Sequence, residues 1–127
     1  RKILGSTDEQ YWNIERADAF LRRLVTDATT APWFAAENSV YNERPIFIPA
    51  TANKPATTLR PDRIVRTPDG SVVVIDYKFG DAPSEAQKAA YEKQVANYCH
   101  LLSRLWNTQV EGYILYAKSF AIHQVEN

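Results

Sequence analysis

Asp62, Asp76 and Lys78 are the residues of this 127-residue chain whose types and spacing could do chemistry. Two carboxylates and an ammonium on one face can hold a divalent cation and polarise what binds beside it. The stretch from Arg60 to Lys78 brings them together, because it reads as a β-hairpin. Its turn is Thr67-Pro68-Asp69-Gly70: proline presets φ, aspartate suits the third position, and glycine tolerates the left-handed conformation. With Pro68, Asp69 and Gly70 as a bulged loop, Thr67 lies opposite Ser71 and Asp62 lies opposite Asp76. Alternation along the strand puts Asp76 and Lys78 on one face with Val72 and Val74. Val73, Ile75 and Tyr77 take the other face. A one-residue slip would move Asp62 to the opposite side.

Two readings of this cluster compete. Opposed carboxylates repel, and one of them gains proton affinity unless a cation intervenes. Lys78 could neutralise them as an ordinary charge cluster on a solvated face. The other reading is a metal site. Val72-Val73-Val74-Ile75 is a continuous apolar run that suits a strand covered on both sides. Charges buried there are costly unless they serve a function, so the balance favours a site. Hard oxygen ligands select magnesium, calcium or manganese over zinc.

The elements that must position the hairpin are legible on either side of it. Ser6-Thr7-Asp8-Glu9 is a capping-box pattern opening a helix with Trp12, Phe20, Leu21 and Leu24 at helical spacing. A turn or short helix at Pro32 to Ala35 leads into a strand over about Val40 to Ile48, where Pro45 points to an edge or a bulge. Pro49 to Thr57 reads as a polar loop. Gly80 to Ser84 breaks the chain again, and Ser84 caps a long helix to about Trp106. The apolar stripe of that helix is Tyr91, Val95, Tyr98, Leu102 and Leu105. Strands at Tyr113 to Ala117 and Ala121 to Val125 follow. Gln94 and Tyr98, one helical turn apart, point the same way on or beside the stripe. On residue type alone they read as a hydrogen-bonded core glutamine and a packed tyrosine. Glu43, beside Arg44, could extend a metal shell or form a surface ion pair.

Length bounds the chain to a single domain, 1–127. A 45% hydrophobic content with 12% aromatic residues marks a globular chain. Fifteen basic and fifteen acidic residues cancel, so no global field draws in nucleic acid. Arg60, Arg63 and Arg66 offer a local phosphate-binding patch or simply solubilise the strand. Cys99 is the single cysteine. It cannot form an internal disulfide, which suits a reducing, cytoplasmic setting, and it reads as a buried core thiol. No apolar run approaches the ~20 residues of a membrane span, and no signal peptide is evident. The sequence contains no methionine, which leads to the expectation that it is an excised piece of a longer chain.

Pro61-Asp62, then 13 residues, then Asp76-Tyr77-Lys78 resembles the PD-(D/E)xK nuclease motif. Arg60 to Ile64, Val74 to Gly80 and Gln94-Val95-Ala96-Asn97-Tyr98 narrow the resemblance. Together with Asn42 to Ile46 and Val110 to Tyr116, they are similar to the RecB-type nuclease domain at the C-terminal end of AddA/RecB (UvrD-like) helicase-nucleases. The resemblance covers nearly all of the chain from about Trp33. It implies an α/β, restriction-endonuclease-like core of order α-β-β-β-α-β, a mixed central sheet flanked by helices. It implies hydrolysis of DNA phosphodiesters with Mg2+, with Mn2+ as a substitute. Asp62, Asp76 and the backbone carbonyl of Tyr77 would bind the metal, and Lys78 would orient or help deprotonate the attacking water. Gln94 and Tyr98 would orient the lysine or contact DNA, with Glu43 in support.

The partners so implied are DNA, a helicase domain on the same polypeptide and a second helicase-nuclease subunit, with a role in double-strand break repair and recombination. No membrane is involved. Some relatives carry an iron–sulfur cluster, which needs four cysteines and so cannot form in this chain. Relatives usually carry a metal-binding histidine on the opening helix. Here the histidines are His100 and His123, neither in that place, so the ligand is expected upstream of Arg1. Two alternatives stay open: a stand-alone endonuclease with the same chemistry, and a non-catalytic DNA-binding or scaffold module of the same fold.

Overall fold

The computed structural model describes residues 11–42 and 45–126. Strands β4 (Arg63–Arg66) and β5 (Val72–Lys78) form the expected hairpin, with Arg63 opposite Ile75 and Arg66 opposite Val72. The turn is built as its residue types require. Thr67 N–H donates to Ser71 O at 2.9 Å, Gly70 N–H donates to Thr67 O at 2.9 Å, and Gly70 has φ 92°. Asp69 accepts from the Thr67 hydroxyl and from Ser71 N–H, and these bonds hold its carboxyl below the usual carboxylate range.

Strand β1 (Ser39–Asn42) pairs with the outer side of β4, β6 (Val110–Tyr116) runs parallel to β5, and β7 (Ala121–Val125) returns antiparallel. The result is a mixed five-stranded sheet of order β1-β4-β5-β6-β7. A parallel step needs a crossover, and helix α2 (Glu85–Trp106) supplies it. Ser84 and Gln87 cap its start reciprocally, and Asn107 closes it in the left-handed conformation.

Each face of the sheet is covered. Val72, Val74, Val110 and Ile114 pack against Val95, Cys99 and Leu102 of α2. Gly112 permits this approach, since a Cβ there would sit 2.6 Å from both Cys99 Sγ and Val95 Cγ1. On the other face, Val65, Val73 and Ile75 meet Trp33 of a short 3-10 turn (Ala31–Phe34). Helix α1 (Ile14–Thr26) brings Leu24 and Phe20 onto Leu115 and Phe120. The chain thus has the expected α/β, restriction-endonuclease-like arrangement, with β7 as an added edge strand.

Four details differ from the sequence reading. The strand expected over Val40 to Ile48 is two strands in different sheets. Pro45, without an N–H, stands between β1 and β2 (Ile46–Ile48), and β2 pairs with β3 (Thr57–Leu59), a strand not expected at the end of the Pro49–Thr57 loop. Buried Leu59 ties this hairpin to the core. Helix α1 begins after Asn13, whose side chain accepts Arg16 N–H at 2.8 Å, so Trp12 precedes it; the Ser6–Glu9 capping pattern lies outside the described residues. Leu21 and Leu105, expected on core faces, are 59% and 44% exposed. Among the described residues no helix is long and apolar enough to cross a membrane.

Candidate active site

Strand alternation alone carries Asp76 to the face of β5 that α2 covers, and there it is 4% exposed. Lys78, two residues on, shares that face. Its Nζ lies 2.9 Å from Asp76 Oδ2 and 4.1 Å from the ring centroid of Tyr91 on α2. Asp62 stands one residue before β4, at the level where β4 and β5 part. Its Oδ2 accepts Tyr77 N–H at 2.8 Å, so a carboxylate rather than strand backbone receives that donor. The bond fixes the Asp62 side chain beside the segment that carries Asp76 and Lys78.

The neighbouring strands complete the surroundings. In the parallel register Tyr116 pairs with Lys78 and Ile114 with Asp76, and His123 of β7 pairs with Ile114. Burial pushes the Tyr116 phenol up, and the negative potentials of Glu92, Tyr91 and Asp76 add to it. Glu92 of α2 lies 3.4 Å from His123 Nε2. On the opposite face, burial raises the Tyr77 phenol to about 12, with Arg63 opposing and Asp62 adding to the shift. Arg63 donates to Trp33 O at 3.0 Å and to Asn42 Oδ1 at 3.1 Å and lies over the Phe34 ring. Burial lowers its pKa.

Asp76 and Lys78 therefore meet at one end of β5, and Asp62 is held to the backbone of Tyr77, the residue between them in sequence. Gln94 and Tyr98, expected to point the same way, do not share one environment. Tyr98 packs half-buried against the core, whereas Gln94 is exposed, because Val95, Cys99 and Leu102 take the sheet-facing side of α2. Glu43 lies outside the described residues. His100 and His123 are both exposed, His123 on the Asp76 face of the sheet. The three hairpin arginines do not form one patch. Arg63 is anchored on the Trp33 face, Arg66 lies over Trp106 of α2, and Arg60 is exposed outside the strands.

Tyr91 and Tyr116 are the neighbours that sequence reasoning missed as parts of the site. Tyr91 sits on the apolar stripe, where packing accounts for it without any chemistry. The place of Tyr116 depends on a parallel register that no local signal encodes.

Chemically, the group offers hard carboxylate oxygens and one compact cation. Among the described residues no group of three or more His, Cys, Asp or Glu side chains converges on one point. Two carboxylates suit an ion such as Mg2+, which keeps several of its waters and is commonly held by one or two of them. A surface groove of about 1640 Å3 contains none of these residues; it runs past Ser71, Asn97, Arg104, Gln109 and Glu126. Residues 5–125 match the family model of the PD-(D/E)XK nuclease superfamily. No curated protein sequence matches the chain.

Proposed function

Because the chain belongs to the PD-(D/E)XK nuclease superfamily, we propose that it hydrolyses DNA phosphodiester bonds using a divalent cation held by Asp62 and Asp76. One observation carries this reading. A buried carboxylate and an ammonium lie 2.9 Å apart at the strand end where a second carboxylate is pinned. The donor set fits Mg2+, with Mn2+ as a substitute, and the Tyr77 carbonyl would be a further ligand. A divalent ion there would supply a water of lowered pKa and offset charge on the phosphoryl group.

The protein's own groups supply the rest. Asp62 and Asp76 would hold the cation, one steadied by its bond to Tyr77 N–H and the other by a central strand. Lys78 directs its ammonium at the attacking water or at a phosphoryl oxygen as charge builds there. Its low exposure, 20% of the side chain, strengthens that interaction. Exposed Gln94 is available to a DNA strand, and Tyr98 backs the helix that carries it.

The finer reading is an exonuclease module of a RecB-type, ATP-dependent helicase-nuclease in double-strand break repair. Its support is the ordered set of segments from Asn42 to Tyr116 and a net charge of zero. A neutral domain leaves most DNA affinity to a linked helicase or a second subunit.

Cleavage of end-labelled DNA tests the proposal. The wild type degrades it only with Mg2+ or Mn2+, and Asp76→Ala or Lys78→Ala abolishes the activity. Wild-type rates in both variants would sink the assignment. Resistance of covalently closed circles is expected of an exonuclease, and their cleavage would favour the stand-alone endonuclease. Absence of cation binding by calorimetry would favour the non-catalytic module.

A further inference from the structure

Lysine is a compact charge on a four-carbon flexible stem, and one carboxylate constrains only one side of it. In this chain a second group closes on Lys78 from α2: the Tyr91 ring, whose centroid lies 4.1 Å from Nζ. We propose that Tyr91 is the positioning residue that holds the Lys78 ammonium against Asp76. The catalytic consequence rests on the nuclease reading above; the placement does not.

The ring face carries negative potential and attracts a cation within about 6 Å, more strongly as water is excluded. Lys78 meets that condition, with its side chain 20% exposed. It is bounded by Asp76 Oδ2 at 2.9 Å on one side and the Tyr91 ring on the other, and Tyr116 is its register partner on β6. The ring cannot drift away from the strand. Tyr91 is one turn before Val95, which presses with Cys99 onto Gly112, and that close approach sets the height of α2 over β5 and β6. Gln94, for which the family resemblance implied a lysine-orienting role, is exposed. The contact to the ammonium comes instead from the residue one turn earlier.

Two variants separate ring from hydroxyl. Tyr91→Phe keeps the ring face, and Tyr91→Leu keeps only apolar bulk. Carbon–proton NMR of the Lys78 ε-methylene needs no catalysis. Its protons are expected upfield in the wild type and in Tyr91→Phe, and at ordinary positions in Tyr91→Leu. In single-turnover DNA cleavage at saturating DNA, Tyr91→Leu should be slower by about 3- to 30-fold. Its DNA dissociation constant should stay within about twofold, and Tyr91→Phe should cleave at close to the wild-type rate.

Lys78 resonances that are the same in wild type and Tyr91→Leu would overturn the proposal. So would a Tyr91→Leu variant as fast as wild type, or a Tyr91→Phe variant as slow as Tyr91→Leu. If wild type and Lys78→Ala cleave alike, the nuclease reading fails. The NMR shift then still decides whether Tyr91 holds Lys78.

Discussion

Removing Lys78 should cost more stability than removing the charge of Asp76, and the structure sets the size of the asymmetry. At 2.9 Å and an effective dielectric of about 20, the gross attraction is about 6 kcal/mol. Desolvation of both groups offsets much of it. What differs is the group left behind. Lys78→Ala takes the ammonium away from a carboxylate whose side chain is 5% exposed on a central strand, with no stem long enough to reach water. A typical cost for breaking a buried pair in this way is about 3–5 kcal/mol. Asp76→Asn strands an ammonium that is already 20% exposed. Its flexible stem can turn outward, so the cost falls to about 1–3 kcal/mol.

The assay is urea unfolding followed by tryptophan fluorescence, with a chelator present so that no cation replaces the lysine. Wild type, both single variants and the double variant complete a thermodynamic cycle. The double variant should be more stable than additivity predicts by about 1–3 kcal/mol, because the partners are in contact. Saturating Mg2+ should shrink the Lys78→Ala deficit by mass action on the folded state. A Lys78→Ala variant within about 1 kcal/mol of wild type, or an Asp76→Asn variant that costs more than Lys78→Ala, would refute the reasoning.

Asp62→Asn keeps an oxygen acceptor for Tyr77 N–H but loses the charge, so stability should change by less than about 1 kcal/mol while Mn2+ affinity measured by calorimetry collapses; equal Mn2+ affinity would remove Asp62 from the site. The Tyr77 phenol is raised by burial to about 12, so the unfolded state releases its proton first as pH rises above about 10. The stabilisation is therefore fully present below pH ~10 and is lost as pH climbs through about 12, a change of about 2–3 kcal/mol. Tyr77→Phe should flatten that alkaline limb in chemical denaturation, and an unchanged limb would contradict the burial. Gly112→Ala places a methyl 2.6 Å from Cys99 Sγ and Val95 Cγ1, and overpacking there should cost about 1–3 kcal/mol. Thermal unfolding checks it, with partial recovery expected in Gly112→Ala/Cys99→Ala and no recovery counting against that contact.

The hairpin was legible because its determinants are local. Pro68, Asp69 and Gly70 select the loop, the loop sets the register, and alternation sends Asp76 and Lys78 to one face. The Ser84 cap and the buried Cys99 were readable for the same reason: a capping side chain needs only its neighbours three residues on, and a small thiol beside an apolar stripe packs inward. Where local signals were weak, the reading failed. Thr57–Leu59 is too short and polar to announce a strand, yet pairing with β2 and the burial of Leu59 make it one. Gln94 was placed beside the core stripe by helical spacing, but spacing fixes angles between residues and not which arc meets the sheet. Close contact at Gly112 decides that arc and turns Gln94 outward.

By itself, then, the sequence determined the turn, the strand register and the placing of Asp76 and Lys78 on one face. Its match over residues 5–125 is enough to place it among the PD-(D/E)XK nucleases. Only the tertiary structure decided how deeply Asp76 is buried, that Asp62 is tied to Tyr77, and that Tyr91 and Tyr116 stand beside Lys78. Turn and alternation energies act between residues a few positions apart. Burial and ring contacts arise only when a helix and a parallel strand, far apart in the chain, pack onto the same few ångströms of β5.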